Sequence, residues 1–327
     1  MGDAYYYLKK QLTWIGVGLG AMCFAMWSNY LTIKRFAFVL GIIGVICLML
    51  LWTPLGVEIN GATRWLKIGS VQFAPSDLAK VAMVIVMARL LSKNIQNIKH
   101  FRNGLLPLLG LLGIVCALIL DQPDLGTAIA MAGTVFCMFV IAGARWLHLA
   151  GLTILGVGTV VLAIVQEPYR LERVKAFFDP WKYANDEGYQ IIQSLYALGS
   201  GGLFGLGLGR SRQKIFYLPE QHTDFIFAIL GEELGFIGAF FVIVLFILLA
   251  WRGFKIAMNA PDNFSSLMVA GLTVMLVLQA GINIGVVTGA LPVTGITLPF
   301  ISYGGTSLLF SMASIGLLLN ISRYNRV

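Results

Sequence analysis

The stretch YLPEQHTDFIFAILGEELGF, Tyr217–Phe236, sets a polar segment holding Glu220, His222 and Asp224 directly against an apolar run that continues to residue 250. An apolar run of that length reads as a membrane-spanning helix. A carboxylate at the mouth of such a span is costly unless it is paired, reached by water or used in chemistry, so Asp224, Glu232 and Glu233 each demand a partner or a role. Asp224 stands at the mouth. Glu232 and Glu233 lie roughly 12 Å deeper along the helix axis, too far to share its proton directly, and read as internally paired or cavity-lining groups.

Working outward, the rest of the chain is of one kind with this helix. Of its 327 residues 58% are hydrophobic and only 12% charged, and the mean hydropathy is +0.84, far from a soluble globular composition. The expected fold class is all-α, a polytopic membrane protein forming a single integral membrane domain over residues 1–327. Nine spans are expected, near residues 12–28, 36–54, 75–92, 104–120, 125–142, 149–165, 225–250, 265–283 and 305–320. The net charge of +8 does not gather into one solvated face or tail, which argues against a nucleic-acid partner. Cys23, Cys47, Cys116 and Cys137 all fall in apolar runs without metal or redox spacing and read as small hydrophobes.

Alternate connections give the orientation. One side holds Lys34, Arg35, Arg89, Lys93, Lys99, Arg102, Arg145, Arg252, Lys255, Arg323 and Arg326 against a single acid, Asp262. That side is cytoplasmic by the positive-inside rule, and the other fourteen acids are extracytoplasmic. Lys9 and Lys10, before the first span, run against the same rule, and no small-residue cleavage site follows that span.

Two extracytoplasmic segments are long, near residues 55–76 and 166–223. The first carries Arg64, Trp65 and Lys67, and ends where Pro75 and Ser76 open a helix. Asp77 and Lys80, three apart on that helix, can pair; the pair is either a local helix-start contact or part of a site at the membrane edge. In the second segment Tyr169, Val174, Phe177, Phe178 and Trp181 alternate with Arg170, Arg173 and Lys175, an amphipathic pattern suited to the membrane surface. A glycine run then leads to Arg210, Arg212 and Lys214. It lacks the Gly-Lys-Ser/Thr ending of a nucleotide loop, so its glycines are expected to admit close approach of backbone to helices or to a ligand. In DQPDLGTA, Asp121–Ala128, Asp124 suits a helix cap and can equally face an external cavity. The stretch 285–307, with Pro292 and Pro299, predicts a broken or re-entrant segment buried in protein. Ser302, Tyr303, Thr306 and Ser307 have no general base at useful spacing and are expected to satisfy backbone groups.

Taken together, NGATRWLKIG, PSDLAK, QPDLGTA, GSGGLFGLGLGRSRQK, YLPEQHTDFIFAILGEELGF and LPVTGITLPFISYGGTS resemble, in this order and over essentially the whole chain, the SEDS family of bacterial cell-wall polymerases, with its RodA, FtsW and SpoVE branches. SRQKIFYLPEQHTDFIFAILGEELGFIG and GVVTGALPVTGITLPF are more similar to the FtsW/SpoVE branch. The resemblance implies a ten-helix peptidoglycan glycosyltransferase of the bacterial cytoplasmic (inner) membrane. Such an enzyme polymerises lipid II into β-1,4 glycan strands on the extracytoplasmic side, releasing undecaprenyl pyrophosphate, in cell division or sporulation. Its implied partners are lipid II and the nascent strand, a class B penicillin-binding protein and other divisome or elongation-complex membrane proteins. GDAYYYLKKQL matches the loop after the family's first helix, so that helix is expected to be missing from this sequence.

Residue by residue, the resemblance places the family's essential acid on Asp224 and its Pro-Ser-Glu-x-x-Lys motif on Ser76, Asp77 and Lys80. Asp replaces Glu there, shortening the reach by one methylene, and Ala74 stands where the family often has Gln. The QPDLGT aspartate falls on Asp124, and the Arg-Trp pair on Arg64 and Trp65. The expected catalytic residue is Asp224, a base for the attacking hydroxyl, although an N-terminal helix charge after Thr223 is the plainer reading of that residue alone. Arg64, Lys67, Lys80, Arg210, Arg212 and Lys214 are the cations available to pyrophosphate; Trp65, Asp77, Asp124 and His222 complete the expected substrate-binding set. No cofactor is evident. A divalent cation, Mg or Mn, could bridge pyrophosphate to Asp77 or Asp124, but no dedicated metal-ligand cluster appears. A lipid-linked precursor flippase or transporter, or a non-catalytic scaffold of a cell-wall complex, would suit the same helices. The one-sided placement of the acids favours chemistry at one surface.

Overall fold

The computed structural model describes residues 6–59, 61–69, 71–93, 95–214 and 217–324; Arg326 lies outside them. Its helices are α1 (Tyr6–Trp27), α2 (Tyr30–Met49), α3 (Pro75–Lys93), α4 (Leu106–Leu120), α5 (Leu125–Ile141), α6 (Trp146–Val165), α7 (Pro168–Phe178), α8 (Tyr189–Gly201), α9 (Ile226–Met258), α10 (Asn263–Val287) and α11 (Gly305–Ser322). The expected spans correspond to α1–α6 and α9–α11. By length and apolarity alone, six helical segments among the described residues are long enough to cross a membrane: Tyr30–Trp52, Phe101–Leu120, α6, α9, α10 and α11. The other three fall short for physical reasons: α1 opens on Lys9, Lys10 and Gln11, α3 carries Asp77, Lys80, Arg89 and Lys93, and α5 has 17 residues. The chain is a multi-pass, all-α membrane protein.

It divides into two compact units. The first comprises Met1–Thr153, Ala250–Leu276 and Gly304–Val327. Its centre is α3, apolar on nearly every side and buried from Pro75 to Ala88 apart from Leu78, as a helix surrounded by others must be. Along the α1–α11 contact a side chain on Gly316 would collide with the Met22 carbonyl. The buried Asn320 amide donates to the carbonyls of Ala25 (3.1 Å), Met26 (2.9 Å) and Ser28, tying off the end of α1. Lys34 pairs with Asp262 at 2.8 Å, and Arg89 donates to the carbonyls of Lys34 and Arg35 at 2.5 Å each. Four residues assigned to the cytoplasmic side thus meet in one cluster.

The first of the two long segments expected outside the membrane is not a plain loop. It folds as an antiparallel meander, β1 (Gly56–Ile59), β2 (Ala62–Ile68) and β3 (Val71–Phe73), with Val57 opposite Trp65 and Lys67 opposite Gln72. β-Branched and aromatic residues suit the strands, and Gly61 (φ 75°) and Gly69 (φ 63°) make the turns that L side chains resist.

The second unit comprises Ile154–Leu249 and Val277–Tyr303. α7 leaves Phe178 and the following Trp181 exposed, as the amphipathic reading expects. A core of Ile191, Phe225, Phe227, Val242, Val287 and Leu298 holds α8, the start of α9 and the end of α10 together. Beyond Val287 the backbone is irregular to residue 304, matching the expected break. Its polar groups are met from within: Gln279 donates to the Thr297 carbonyl (3.0 Å), and the Ser194 hydroxyl to the Val287 carbonyl (2.5 Å).

Candidate active site

In the second unit the acidic segment turns sharply before α9. Glu220 adopts φ 51°, its carbonyl accepts from the Thr223 amide (3.2 Å), and its carboxylate accepts from the Thr223 hydroxyl (2.9 Å). Phe225 and Phe227, 1% and 2% exposed, anchor the first turn in the apolar core, which leaves Asp224 partly exposed immediately before them. Burial, reinforced by nearby Lys214 and opposed by Glu220, holds the His222 imidazole below its ordinary range, so it is neutral at pH 7. A neutral His222 can donate or accept a hydrogen bond beside Asp224 without adding charge.

The deeper acids do something different. Gly235 (φ 69°, ψ −170°) breaks α9, and the glycine-rich loop steps into the gap. Leu206 N and Gly207 N donate to the carbonyls of Glu232 (2.9 Å) and Glu233 (3.0 Å), while Phe236 N and Ile237 N donate to those of Gly202 (2.8 Å) and Leu203 (3.2 Å). The Glu232 carboxylate, 1% exposed, accepts from the Ser211 hydroxyl (2.5 Å), Arg212 N (3.0 Å) and Gln213 N (3.3 Å). Glu233 accepts from Ser211 N (3.3 Å) and pairs with Lys214 Nζ at 2.7 Å. Both glutamates are internally paired, the first of the two roles that their depth along α9 allows. Of the three cations at the end of this loop, Lys214 is committed to Glu233, whereas Arg210 and Arg212 are exposed.

The first unit holds the other predicted residues, in two groups. Asp77 and Lys80, each 9% exposed, pair at 3.0 Å, and the buried Thr306 hydroxyl donates to the second Asp77 oxygen at 2.9 Å. This is more than a helix-start contact, because α11 supplies a third member that sequence spacing does not reveal. Arg64 on β2 donates to the carbonyls of Gln122 (3.2 Å) and Pro123. Asp124 caps α5 by accepting from Thr127 N at 3.0 Å, so the capping reading holds. Trp65 is partly buried and Lys67 exposed. Among the described residues no three His, Cys, Asp or Glu side chains come together in a metal-binding arrangement.

Two contacts on the acidic segment were invisible to the sequence: Asn283 of α10 donates to the Asp224 carbonyl (2.7 Å), and Ser302 to the Thr223 carbonyl (2.6 Å). An asparagine inside an apolar span is the one sequence signal from which a polar partner could have been sought there.

The chain as a whole is similar to known proteins. The chain is 46% identical over 325 residues to the stage V sporulation protein E of Bacillus subtilis, covering 99% of this chain and 89% of that one. It is 41% identical over 321 residues to a probable peptidoglycan glycosyltransferase FtsW of Geobacter sp., covering 98% and 88%. A chain solved in work on polymerization and crosslinking by a peptidoglycan synthase complex superposes with a TM-score of 0.82 at 34% identity, covering 98% of this chain and 90% of that one. The rod shape determining protein RodA of Thermus thermophilus gives 0.73 at 30%, covering 99% and 90%. With the FtsW, RodA and SpoVE cell cycle protein model matching residues 1–327 throughout, the chain belongs to that family.

Proposed function

We propose that this protein is a peptidoglycan glycosyltransferase that polymerises lipid II on the extracytoplasmic face of the bacterial cytoplasmic membrane, with Asp224 as the base. The observation that carries the reading is the partly exposed Asp224 at the mouth of α9, in the same unit as the exposed Arg210 and Arg212. The 4-hydroxyl oxygen of the acceptor sugar attacks the anomeric carbon of the donor. The bond from that carbon to the pyrophosphate oxygen breaks, its electron pair leaves with undecaprenyl pyrophosphate, and the acceptor's proton passes to Asp224. An α-linked donor and a β-linked product are connected by one inverting displacement, so no covalent enzyme intermediate is needed.

Charge on the departing pyrophosphate calls for cations that can be spared. Arg210, Arg212 and Lys67 are exposed. Arg64 is steered by backbone carbonyls, and Lys80 and Lys214 are paired with carboxylates, which suits them to orienting rather than first capture. His222 and Trp65 offer a neutral donor and an apolar face to sugar. Asp77 and Asp124 already have oxygens engaged by Lys80, Thr306 and Thr127 N. They do not make a protein-only cage for a divalent cation. The similarity to a chain from work on coupled polymerization and crosslinking supports a crosslinking partner, a class B penicillin-binding protein, and the sporulation and FtsW relatives support a role in division or sporulation.

The test is purified protein with lipid II, reading glycan strands. Asp224→Asn should lower the rate about 10²–10⁴-fold, the usual range for a lost general base. Wild-type polymerisation by that variant would end the assignment, and absence of strands from the native protein would favour a transporter or scaffold.

A further inference from the structure

Three consecutive carbonyls of the acidic segment, those of His222, Thr223 and Asp224, are each taken by a donor from residues 283–303 of the same unit. Tyr303 N donates to His222 O at 2.7 Å, Ser302 Oγ to Thr223 O at 2.6 Å, and Asn283 Nδ2 to Asp224 O at 2.7 Å. The two side-chain donors are themselves tied elsewhere. The Asn283 amide gives its second hydrogen to Ile296 O at 2.7 Å, and Ser302 Oγ accepts from Leu298 N at 2.7 Å. Asn283 is 1% exposed and Ser302 4% exposed, so neither contact competes with bulk water.

Asn283 also keeps a buried amide oxygen without a hydrogen-bond partner among the described residues. An apolar residue of similar size would bury no orphan acceptor, so packing alone does not call for asparagine here. The two donated hydrogens do: one amide group joins α10, the irregular segment and the residue that carries the carboxylate.

We propose that Asn283 is a positioning residue for glycosyl transfer, fixing the Asp224 backbone and coupling it to the irregular segment 288–303, with Ser302 as its neighbour in the same role. The proposal rests on Asp224 being the base. A base must meet the hydroxyl proton within a few tenths of an ångström, and a backbone held at three successive carbonyls removes the main freedom that would blur that distance. Neither side chain is assigned a contact with substrate, so the expected signature is a loss in turnover without a loss in binding.

The experiment compares Asn283→Leu and Ser302→Ala with wild type and with Asp224→Asn, all purified and matched for monodispersity. In lipid II polymerisation, Asn283→Leu should lower kcat at least 10-fold and leave KM within 2-fold, with Ser302→Ala smaller in the same direction. Hydrogen–deuterium exchange should rise in the 220–228 backbone of both variants, a readout that does not depend on activity. Asn283→Leu combined with Asp224→Asn should be no slower than Asp224→Asn alone, because a misplaced base and an absent one are equivalent. Unchanged exchange at 220–228 in both variants, a KM effect without a kcat effect, or multiplicative losses in the double variant would each overturn the positioning role. If Asp224→Asn polymerises at the wild-type rate, the base assignment fails by itself, and the exchange data still report whether Asn283 holds the segment.

Discussion

At the scale of single residues, the carboxylates of this protein are sorted by what surrounds them rather than by sequence distance. Glu232, one of the most polar side chains placed in an apolar helix, accepts three hydrogen bonds from the loop at residues 211–213. Asp224, eight residues earlier, faces partly outward. Glu232→Ala would strand a hydroxyl and two backbone amides in buried surroundings, where hydrogen bonds to a charged group are worth roughly 1.5–3 kcal/mol each. Thermal unfolding in detergent should therefore show a loss of several degrees, and limited proteolysis should cut within 202–214. An intact loop with an unchanged midpoint would mean that the glutamate does not hold it. The sequence leaves Glu232 and Glu233 as either paired or cavity-lining and does not name their partners, because those lie about twenty positions upstream across a loop with no periodicity to read.

At the scale of elements, the break in α9 is the feature the apolar run conceals. A hydropathy profile sees one continuous span, yet Gly235 sits at φ 69°, and a side chain there would run into Leu203 and Gly205 of the inserted loop. Gly235→Ala combines a penalty of about 1–3 kcal/mol for a backbone region that is essentially confined to glycine with a backbone collision. It should destabilise the fold and abolish polymerisation, whereas Gly199→Ala on α8, where nothing lies within 4 Å, should leave both unchanged. Equal behaviour of the two variants in thermal unfolding would contradict the inserted-loop geometry. The meander at Gly56–Phe73 teaches the complementary lesson. Thr63, Trp65 and Ile68 are strand formers, but strands of three to seven residues carry too little periodicity to stand out beside long apolar spans.

At the scale of the whole molecule, charge distribution sets the orientation. Lys34, Arg35, Arg89 and Asp262 meet in one cluster, and the positive-inside rule predicts that their side is cytoplasmic. In a background lacking the native cysteines, a membrane-impermeant maleimide should label Lys182→Cys in intact cells and Lys99→Cys only after permeabilisation; both positions are exposed. The opposite labelling pattern would invert the topology and put Asp224 on the wrong face for lipid II.

What the sequence determined by itself was the set of apolar spans, the polar mouth of α9, the interrupted segment before α11 and the family, because hydropathy, proline and glycine placement and motif order are local properties. Tertiary structure alone decided that Thr306 completes the Asp77–Lys80 pair, that the loop at 202–214 fills the gap in α9, and that Asn283 and Ser302 grip the carbonyls beside Asp224. Those contacts join residues tens to hundreds of positions apart. They follow from where buried backbone groups are left unsatisfied once helices break, and nothing in the local sequence records which distant donor satisfies them.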